Sequence, residues 1–411
     1  MFLRTTSGLY VASLLLACSI PFRVVAKHEH VRRLYTIPVH PEARKPVLED
    51  VGTHGVVLIN PHAWSLQGGE AVADAKLLLW DIYSRKFVSE LPLPDWPRWF
   101  EKVPSRLRDS ADVFEFQTDG ARVVALQTPW LVLLDIGKKE EIRRVLPSQD
   151  YLSTTSSGRV YNEVGGPRVA YMAVNPQDGA VAAALNVWMD TRLYLYDSQL
   201  EKQTACWRLP RPVQGVCWSP DARKLAVLFN TRFEERSEEP DVWILDAHSG
   251  AALLKLWCGS SQSRVVFGRG GDSLYVINDD KYMYSAEKGS IRVFSTTSGK
   301  LVKTVAAGPR GVHNNFALSP DGRFLAADAS TQVSQGLHLE PIYGAKIARV
   351  VLLDATTGVQ LWEHQEKTDG EFWEPLPLLF SPDGNLLFVD FPLTEAEPYE
   401  HIEVFSLEGL P

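Results

Sequence analysis

The sequence predicts an all-β protein in which residues 27–411 form a single seven-bladed β-propeller. The first observation is a strand ending in Asp or Ser, which recurs about every 50–60 residues between Asp81 and Ser406. The second is a tight turn of the Ser-Pro-Asp-Gly type between apolar strands. Units of about 40–50 residues with four strands are typical of propeller blades, so the longer spacing indicates inserted loops.

The repeated unit is clearest between Phe316 and Val359. An apolar strand leads into Ser-Pro-Asp-Gly at 319–322, then come a second strand, a loop, and a third strand ending at Asp354. Asp and Pro favour such turns through side-chain hydrogen bonds and a fixed φ, and Gly supplies a positive φ. We expect the recurring Asp residues to cap turns and not to form a catalytic set. The seven third strands are predicted to end at Asp81, Asp135, Asp197, Asp246, Ser295, Asp354 and Ser406.

The two ends of the chain predict how the ring closes. The last third strand, at 402–406, is followed by only five residues, so blade seven lacks a fourth strand of its own. The segment Arg32–Val39 resembles the fourth strands of other blades, such as Lys300–Val305. We therefore predict that this N-terminal strand pairs into the last blade, which removes an exposed strand edge. A disordered leader before Pro41 is the alternative.

Over residues 30–411 the chain resembles WD-repeat proteins and related bacterial propellers. The resemblance rests on Trp80-Asp81, on the Leu-Asp and Tyr-Asp pairs that end other third strands, and on the Ser-Pro-Asp turns. The Gly-His pair expected before each first strand is missing, and only His313 stands near such a place. The resemblance implies a fold and very little about function.

A second resemblance is local. The segment Leu353–Trp362 is similar to the tryptophan-docking motif of pyrroloquinoline-quinone dehydrogenase propellers, in which Asp, Thr-Gly and Trp lock one blade onto the next. The motif occurs cleanly once, those enzymes have eight blades, and no adjacent cysteine pair is present. We interpret Trp362 as a blade-packing residue and keep quinoprotein-like catalysis as an alternative.

Residues 1–26 are predicted to be a signal peptide. An apolar run from Gly8 to Phe22 follows Arg4, and it is too short to span a bilayer comfortably. Cleavage after Ala26 is one reading. The segment 15–18 also resembles a bacterial lipobox, in which Cys18 would be lipidated and become the new N-terminus. An uncleaved anchor is a third reading, and all three predict an extracytoplasmic protein: periplasmic, secreted or lipid-anchored to the envelope.

Charge and cysteine content narrow the function classes. The 411 residues carry a formal net charge of −8 and a pI of about 5.7, which argues against a nucleic-acid or anionic-lipid surface. Cleavage after Ala26 leaves 40 basic and 50 acidic residues, a net charge of −10, and three cysteines. Three cysteines are a small and uneven number, which argues against a framework of disulfide bonds. We therefore expect a large core with buried free thiols.

The long loops are predicted to lie on one face of the ring. Tight turns join first to second and third to fourth strands, whereas every insertion falls in links between blades or in second-to-third loops, such as 61–75 and 331–348. Loop aromatics are candidate contacts for a protein or glycan, and packing onto the ring is the alternative. The candidates are Trp64, Trp96, Trp99, Phe100, Tyr151, Tyr161, Trp188, Tyr282, Tyr284, Tyr343, Trp373 and Tyr399.

Motifs for chemistry are largely absent from the sequence. It contains no Gly-x-Ser-x-Gly elbow, no phosphate-binding glycine loop, no His-x-x-Glu-His pair and no Cys-x-x-Cys. The pair His28 and His30 is expected to be disordered at the mature N-terminus. We therefore predict no catalytic residues, no cofactor and no metal site.

The sequence favours a monomeric, non-enzymatic propeller that contacts an envelope or extracellular protein through its long loops. It favours no nucleic-acid partner, and a membrane only through an N-terminal lipid. A small-ligand or glycan-binding propeller is the alternative. A lyase or oxidoreductase would require His, Arg or carboxylate groups converging at the ring axis.

Overall fold

The computed structural model describes fourteen stretches of the chain, and these consist of β-strands and turns with no helix. Consequently no apolar helix capable of crossing a membrane occurs within them. The described stretches are residues 31–37, 47–60, 76–92, 113–127, 130–147, 168–187, 190–229, 240–258, 262–278, 290–305, 315–332, 345–372, 376–392 and 401–410.

The strands form seven antiparallel sheets, which are the seven blades predicted from the sequence. The first strand of the chain, β1, is Arg32–Ile37. Blade one contains β2 (Val47–Val51), β3 (Val56–Asn60), β4 (Lys76–Asp81) and β5 (Lys86–Pro92). Blade two contains β6 (Val113–Phe116), β7 (Arg122–Gln127), β8 (Trp130–Asp135) and β9 (Glu140–Val145). Blade three contains β10 (Arg168–Val174), β11 (Val181–Val187), β12 (Asp190–Tyr196) and β13 (Gln203–Leu209). Blade four contains β14 (Val213–Trp218), β15 (Lys224–Phe229), β16 (Val242–Asp246) and β17 (Ala252–Leu256); blade five β18 (Gln262–Phe267), β19 (Ser273–Asn278), β20 (Ser290–Ser295) and β21 (Leu301–Val305).

Blade six is the largest blade. It contains β22 (Phe316–Leu318), β23 (Phe324–Asp328), β24 (Thr331–Gln332), β25 (Ala345–Asp354) and β26 (Gln360–Phe372). The expectation of a loop over the whole of 331–348 is wrong at both ends, because β24 pairs with the start of β25. Strands β25 and β26 have 10 and 13 residues, so their hairpin is longer than that of any other blade among the described residues.

Blade seven contains β27 (Leu378–Phe380), β28 (Leu386–Phe391) and β29 (His401–Ser406), and its outermost strand is β1. Strand β1 runs antiparallel to β29, with Arg32 opposite Ser406 and Ile37 opposite Ile402. This is the pairing that the sequence predicts for the N-terminal strand. The first and last strands of the chain thus share one blade.

Turn chemistry explains why the strands end where they do. In the third-to-fourth turns, Asp135 Oδ1 accepts the backbone N–H of Lys138 at 2.8 Å, and Asp197 Oδ1 accepts that of Glu201 at 2.8 Å. In the first turn of blade six, the Ser319 hydroxyl donates to Asp321 and accepts the backbone N–H of Phe324. These aspartates therefore act as turn caps, as predicted.

The hydrophobic core is divided into seven clusters, one between each pair of neighbouring blades. The cluster between blades seven and one joins Ile37 and Ile402 to Val57 and Ile59. Each innermost strand also contacts the innermost strand of the next blade, including β27 with β2. Side-chain packing therefore continues around the whole ring.

The three described cysteines are free thiols, as predicted. The expectation that all are buried is wrong for Cys206, which is exposed on the outermost strand of blade three. Outermost strands have one side facing solvent, so an apolar residue there can alternate outward. The packing prediction for Trp362 is confirmed, because its ring joins the cluster between blades six and seven.

Candidate functional site

The two faces of the ring are built from different connections. First-to-second and third-to-fourth turns close on one face, the turn face, through bonds such as Gly322 N to Ser319 O and Gly358 N to Asp354 O, both 2.8 Å. In antiparallel blades the other strand ends lie on the opposite face, which we call the loop face. Strands bordering the long segments, such as 61–75 and 148–167, therefore end on the loop face.

The aromatic residues selected from the sequence remain predictions, because every one of them lies outside the described stretches. They are Trp64, Trp96, Trp99, Phe100, Tyr151, Tyr161, Trp188, Tyr282, Tyr284, Tyr343, Trp373 and Tyr399. Cys18 and the signal segment also lie outside them.

Trp257 is an exposed loop-face aromatic that the sequence analysis does not select. It follows β17, the fourth strand of blade four, and is 62% exposed. The next residue, Cys258, is buried, and its carbonyl accepts a hydrogen bond of 2.6 Å from Arg292 in blade five. The sequence contained a signal for this position, because Leu256 and Cys258 are apolar residues two apart on an extended chain. If both side chains point inward, the side chain of residue 257 points outward.

Two carboxylates occupy equivalent positions near the axis, two residues before the first turn of blades one and two. Asp50 accepts the backbone N–H of Phe116 at 2.8 Å, and Glu115 accepts that of Val174 at 2.7 Å. One edge of an innermost strand has no partner strand, so its N–H groups need other acceptors. Each carboxylate therefore caps the innermost strand of the next blade.

Burial raises the pKa values of the acidic groups near the axis. Burial and, to a lesser extent, the negative charge of Asp50 together raise the pKa of Glu115 to about 8, although the Val174 N–H and the charge of Arg264 act in the opposite direction. Burial also raises the pKa of Asp50 and that of the Cys217 thiol, the latter to about 11. At neutral pH the Glu115 carboxyl group therefore holds its proton for much of the time.

Arg264 and Asn315 continue this belt in blades five and six. The Arg264 guanidinium donates to Asn315 Oδ1, and Asn315 Nδ2 donates to the Leu376 carbonyl of blade seven at 2.7 Å. We call Asp50, Glu115, Cys217, Arg264 and Asn315 the axial cluster. Both charge signs converge here, as an enzyme would require, but the bonds described run from blade to blade.

A second polar cluster lies in the outer part of the seam between blades six and seven. We call its members, His364 and Glu366 on β26 and His401 and Glu403 on β29, the seam cluster. His364 Nε2 lies 3.3 Å from Glu366 Oε1 and 3.3 Å from Glu403 Oε2. His401 Nε2 lies 3.4 Å from Glu366 Oε2 and 3.8 Å from Glu403 Oε1. Arg33 of β1 bonds to Glu403 Oε1.

The seam cluster is strongly coupled electrostatically. Burial alone would lower the pKa of His364, but the interactions of its ring with the neighbouring Glu366 and Glu403 carboxylates outweigh it and raise the pKa to about 9. Burial would raise the pKa of Glu366, but both histidines outweigh it and hold that pKa at about 2. The sequence analysis missed this cluster, which consists of two of the four His-x-Glu triplets in the sequence, those at 364–366 and 401–403.

Comparison with solved structures identifies the fold. The chain matches the Cps50 (Swd1) β-propeller domain of Myceliophteria thermophila with a TM-score of 0.56 and 13% identity, over 92% of this chain and 99% of that one. The chain has a WD-repeat-like seven-bladed β-propeller fold. A chain of a mitotic checkpoint complex matches with a TM-score of 0.53 and 12% identity, over 99% of this chain and 98% of that one.

Hydrazine synthase of Kuenenia stuttgartiensis also matches, with a TM-score of 0.53 and 15% identity, over 87% of this chain and 94% of that one. No protein-family model and no curated protein matches the chain. At these identities the likeness extends to the fold alone, and the three neighbours belong to different functional settings. The chain is thus a β-propeller.

Proposed function

We propose that this protein is a non-enzymatic, extracytoplasmic scaffold that binds an envelope or extracellular protein through its loop face. The observation that carries the proposal is the division of the ring into two faces. The turn face is built from short, hydrogen-bonded turns, whereas the strands bordering every long connection end on the loop face. Variable loops on a rigid framework are where propellers and other scaffolds place their binding residues.

Trp257 supports the choice of face. A tryptophan side chain that is 62% exposed beside a buried, hydrogen-bonded backbone offers a large apolar area at a fixed position. Tryptophan is enriched among residues that dominate protein–protein binding energy. The acidic balance of the chain favours a protein partner over nucleic acid.

The test compares capture by the two faces. The mature protein, immobilised and exposed to detergent-solubilised envelope from its own organism, should recover a stoichiometric protein partner. Trp257→Ala should weaken the affinity for that purified partner at least tenfold, since a hot-spot truncation costs about 2 kcal/mol or more. Combined replacement of Trp96, Trp99 and Phe100 by Ala tests the neighbouring loop.

Tyr83→Ala is the matched control, because Tyr83 is 70% exposed but lies in a third-to-fourth turn on the turn face. It should leave the affinity unchanged. Equal losses for Trp257→Ala and Tyr83→Ala, or no loss for any loop-face variant, would refute the assignment of the face.

The extracytoplasmic location rests on residues 1–26 and is tested separately. Cell fractionation should recover the protein outside the cytoplasm. Its intact mass should equal that of a chain beginning at Lys27 if the signal peptide is simply cleaved. For a lipoprotein, the mass should equal that of a chain beginning at a diacylated or triacylated Cys18. A full-length cytoplasmic protein beginning at Met1 would refute this part of the proposal.

A small-ligand binder is the second candidate, and the axial cluster is the observation that favours it. Arg264 brings a cationic group, and Asp50 and Glu115 bring carboxyl groups, to the axis from blades five, one and two. Native mass spectrometry of the purified protein tests this candidate. Extra mass that is lost in Glu115→Gln would support a ligand at the axis, and a bare chain would favour the scaffold.

A further inference from the structure

The two His-x-Glu pairs place four ligand-type side chains at one seam. Residues two apart on a strand point to the same side of the sheet, so His364 and Glu366 share one face of β26, and His401 and Glu403 share one face of β29. These two faces meet between blades six and seven, where both histidines lie within 4 Å of both carboxylates.

The distances within the seam cluster exceed those of good hydrogen bonds. His364 Nε2 faces two carboxylate oxygens at 3.3 Å each, although one imidazole nitrogen carries at most one hydrogen. Direct N–H···O bonds are about 2.7–3.2 Å. In a tetrahedral zinc site with ligands about 2.0–2.1 Å from the ion, neighbouring ligand atoms lie about 3.3–3.4 Å apart. The two distances from His364 Nε2 to the carboxylate oxygens match that spacing.

Glu403 provides an independent observation. Its side chain is fully buried, and its Oε2 atom accepts no hydrogen bond from the part of the chain that the structure describes. The other oxygen, Oε1, is held by Arg33. Leaving a buried carboxylate oxygen without a hydrogen bond is costly, and this one points at His364 Nε2.

An apolar layer surrounds the polar centre. The His364 ring stacks on Trp362 and contacts the rings of Phe391 and Phe405, and the His401 ring stacks on Phe391. Such a shell restricts water and strengthens the interaction of a cation with its ligands. Trp362 thereby serves both blade packing and the placement of His364.

We infer that the seam cluster is a binding site for a zinc-class divalent transition-metal ion, with His364 Nε2, Glu366 and Glu403 Oε2 as ligands. The ligand atoms of these three residues lie within 4.8 Å of one another. His401 Nε2 lies 3.4 Å from Glu366 Oε2, and under this proposal either His401 or a water molecule would take the fourth position. Imidazole with few carboxylates suits zinc better than magnesium or calcium, which prefer six or more oxygen ligands. The ion would clamp blade six to blade seven, which also contains the N-terminal strand.

The experiment uses the untagged mature protein after chelator treatment. Titration with ZnCl₂ in a calorimeter should give one ion per chain, and CoCl₂ should produce the intense visible bands of tetrahedral cobalt. His364→Gln and Glu403→Gln should each weaken zinc binding at least tenfold. The cobalt spectrum of the wild-type protein needs no variant, so a folding defect in Glu403→Gln leaves the test intact.

Two controls isolate the seam. The exposed turn residue His248, changed to Gln, should leave binding unchanged. So should the double change His28→Gln, His30→Gln, which removes the His-Glu-His sequence at residues 28–30. No stoichiometric zinc, cobalt bands typical of six-coordination, or a loss confined to the double variant would overturn the inference.

Discussion

At the scale of single residues, one turn position shows a local conflict between sequence and backbone. The first turns of blades six and seven place Gly322 and Gly384 at φ of +75° and +73°, whereas blade four holds Ala222 at +60°. A Cβ atom in this left-handed region costs about 1–2 kcal/mol, and the entropy of glycine offsets part of that.

We therefore expect Ala222→Gly to raise the free energy of unfolding by about 0.5–1 kcal/mol, and Gly322→Ala to lower it by about 1 kcal/mol. Urea denaturation followed by circular dichroism measures both. Opposite signs at the two positions are the essential result. A loss of stability in Ala222→Gly would show that the alanine methyl group is needed for packing.

Glu115 predicts a dependence of stability on pH. Its pKa of about 8 in the folded protein lies above the ordinary glutamate value of 4.5, so its contribution to stability is complete below about pH 4.5 and is lost as the pH rises to about 8. Glu115→Gln keeps an oxygen acceptor for Val174 N–H but does not titrate. The variant should match the wild type near pH 4.5 and exceed it by roughly 1–3 kcal/mol at pH 8.

Denaturation midpoints at pH 4.5, 6 and 8 test this expectation. Glu408→Gln is the control, because Glu408 is exposed near the end of the chain and its curve should run parallel to the wild type. Parallel curves for Glu115→Gln would mean that the axial carboxyl group is hydrated and ionised in the folded protein.

The single-residue features that sequence reasoning found are those set by near neighbours. The side chains of Asp197 and Ser319 form hydrogen bonds with residues at most five positions away in the chain. Their turns can therefore be predicted from the spacing of residues in the sequence. His364 and Glu403 are 39 positions apart in the chain and meet only through blade packing. Their shared His-x-Glu spacing was visible, but nothing local indicates that two such faces oppose each other.

At the scale of elements, β1 has a disproportionate role for a six-residue strand. Ile37 is fully buried and joins the cluster between blades seven and one. We expect Ile37→Ala to lower the free energy of unfolding by about 2–4 kcal/mol, because truncation leaves a cavity that β1 fills at this seam. Val302→Ala, on the exposed side of β21, should change it by less than about 0.5 kcal/mol.

Thermal and chemical denaturation of both variants would check the comparison. Similar small losses at residues 37 and 302 would mean that β1 is dispensable for closing the ring. In that case the exposed edge of β29 would be tolerated by the folded protein.

The hairpin of blade six marks the limit of sequence reasoning about elements. The apolar run from Val350 to Leu353 identifies the inner half of β25, whereas the half beginning at Ala345 alternates polar and apolar residues. That half is stabilised by pairing with β24 and β26. Strand length here depends on neighbouring strands and not on the apolar content of the segment itself.

At the scale of the whole molecule, the shared blade predicts tolerance to circular permutation. Joining residue 410 to residue 31 and opening the chain between Ser298 and Gly299 would give blade five the same split that blade seven has now. We expect this permutant to fold cooperatively, with a melting temperature within about 5 °C of the wild type, since each blade closes the same kind of ring.

A second permutant opened between residues 258 and 262 is the matched control. Its first and last blades would each be complete, so only side-chain packing would hold the ends together. It should melt lower than the first permutant. The reverse order would show that sharing a blade contributes nothing to closure.

The number of blades could be predicted because the same strand pattern repeats along the sequence. The contacts between blades could not be predicted in this way. Six of the seven third strands end at the predicted residue, and β12 ends one residue earlier than predicted, at Tyr196. The axial and seam clusters draw on strands from several blades, and their members share no spacing that a repeat would reveal. Functional sites on a common fold are specific arrangements of residues, such as these residues brought together from different blades.

The direction of β1 has a consequence for how the molecule would sit at a surface. Arg32 lies opposite Ser406, at the turn-face end of blade seven, so the chain enters β1 from that face. For a chain lipidated at Cys18, the fourteen residue-to-residue steps from Cys18 to Arg32 could span at most about 50 Å. The turn face would then look toward the bilayer, and the opposite face would be held outward, where it could meet partners on another molecule or another membrane.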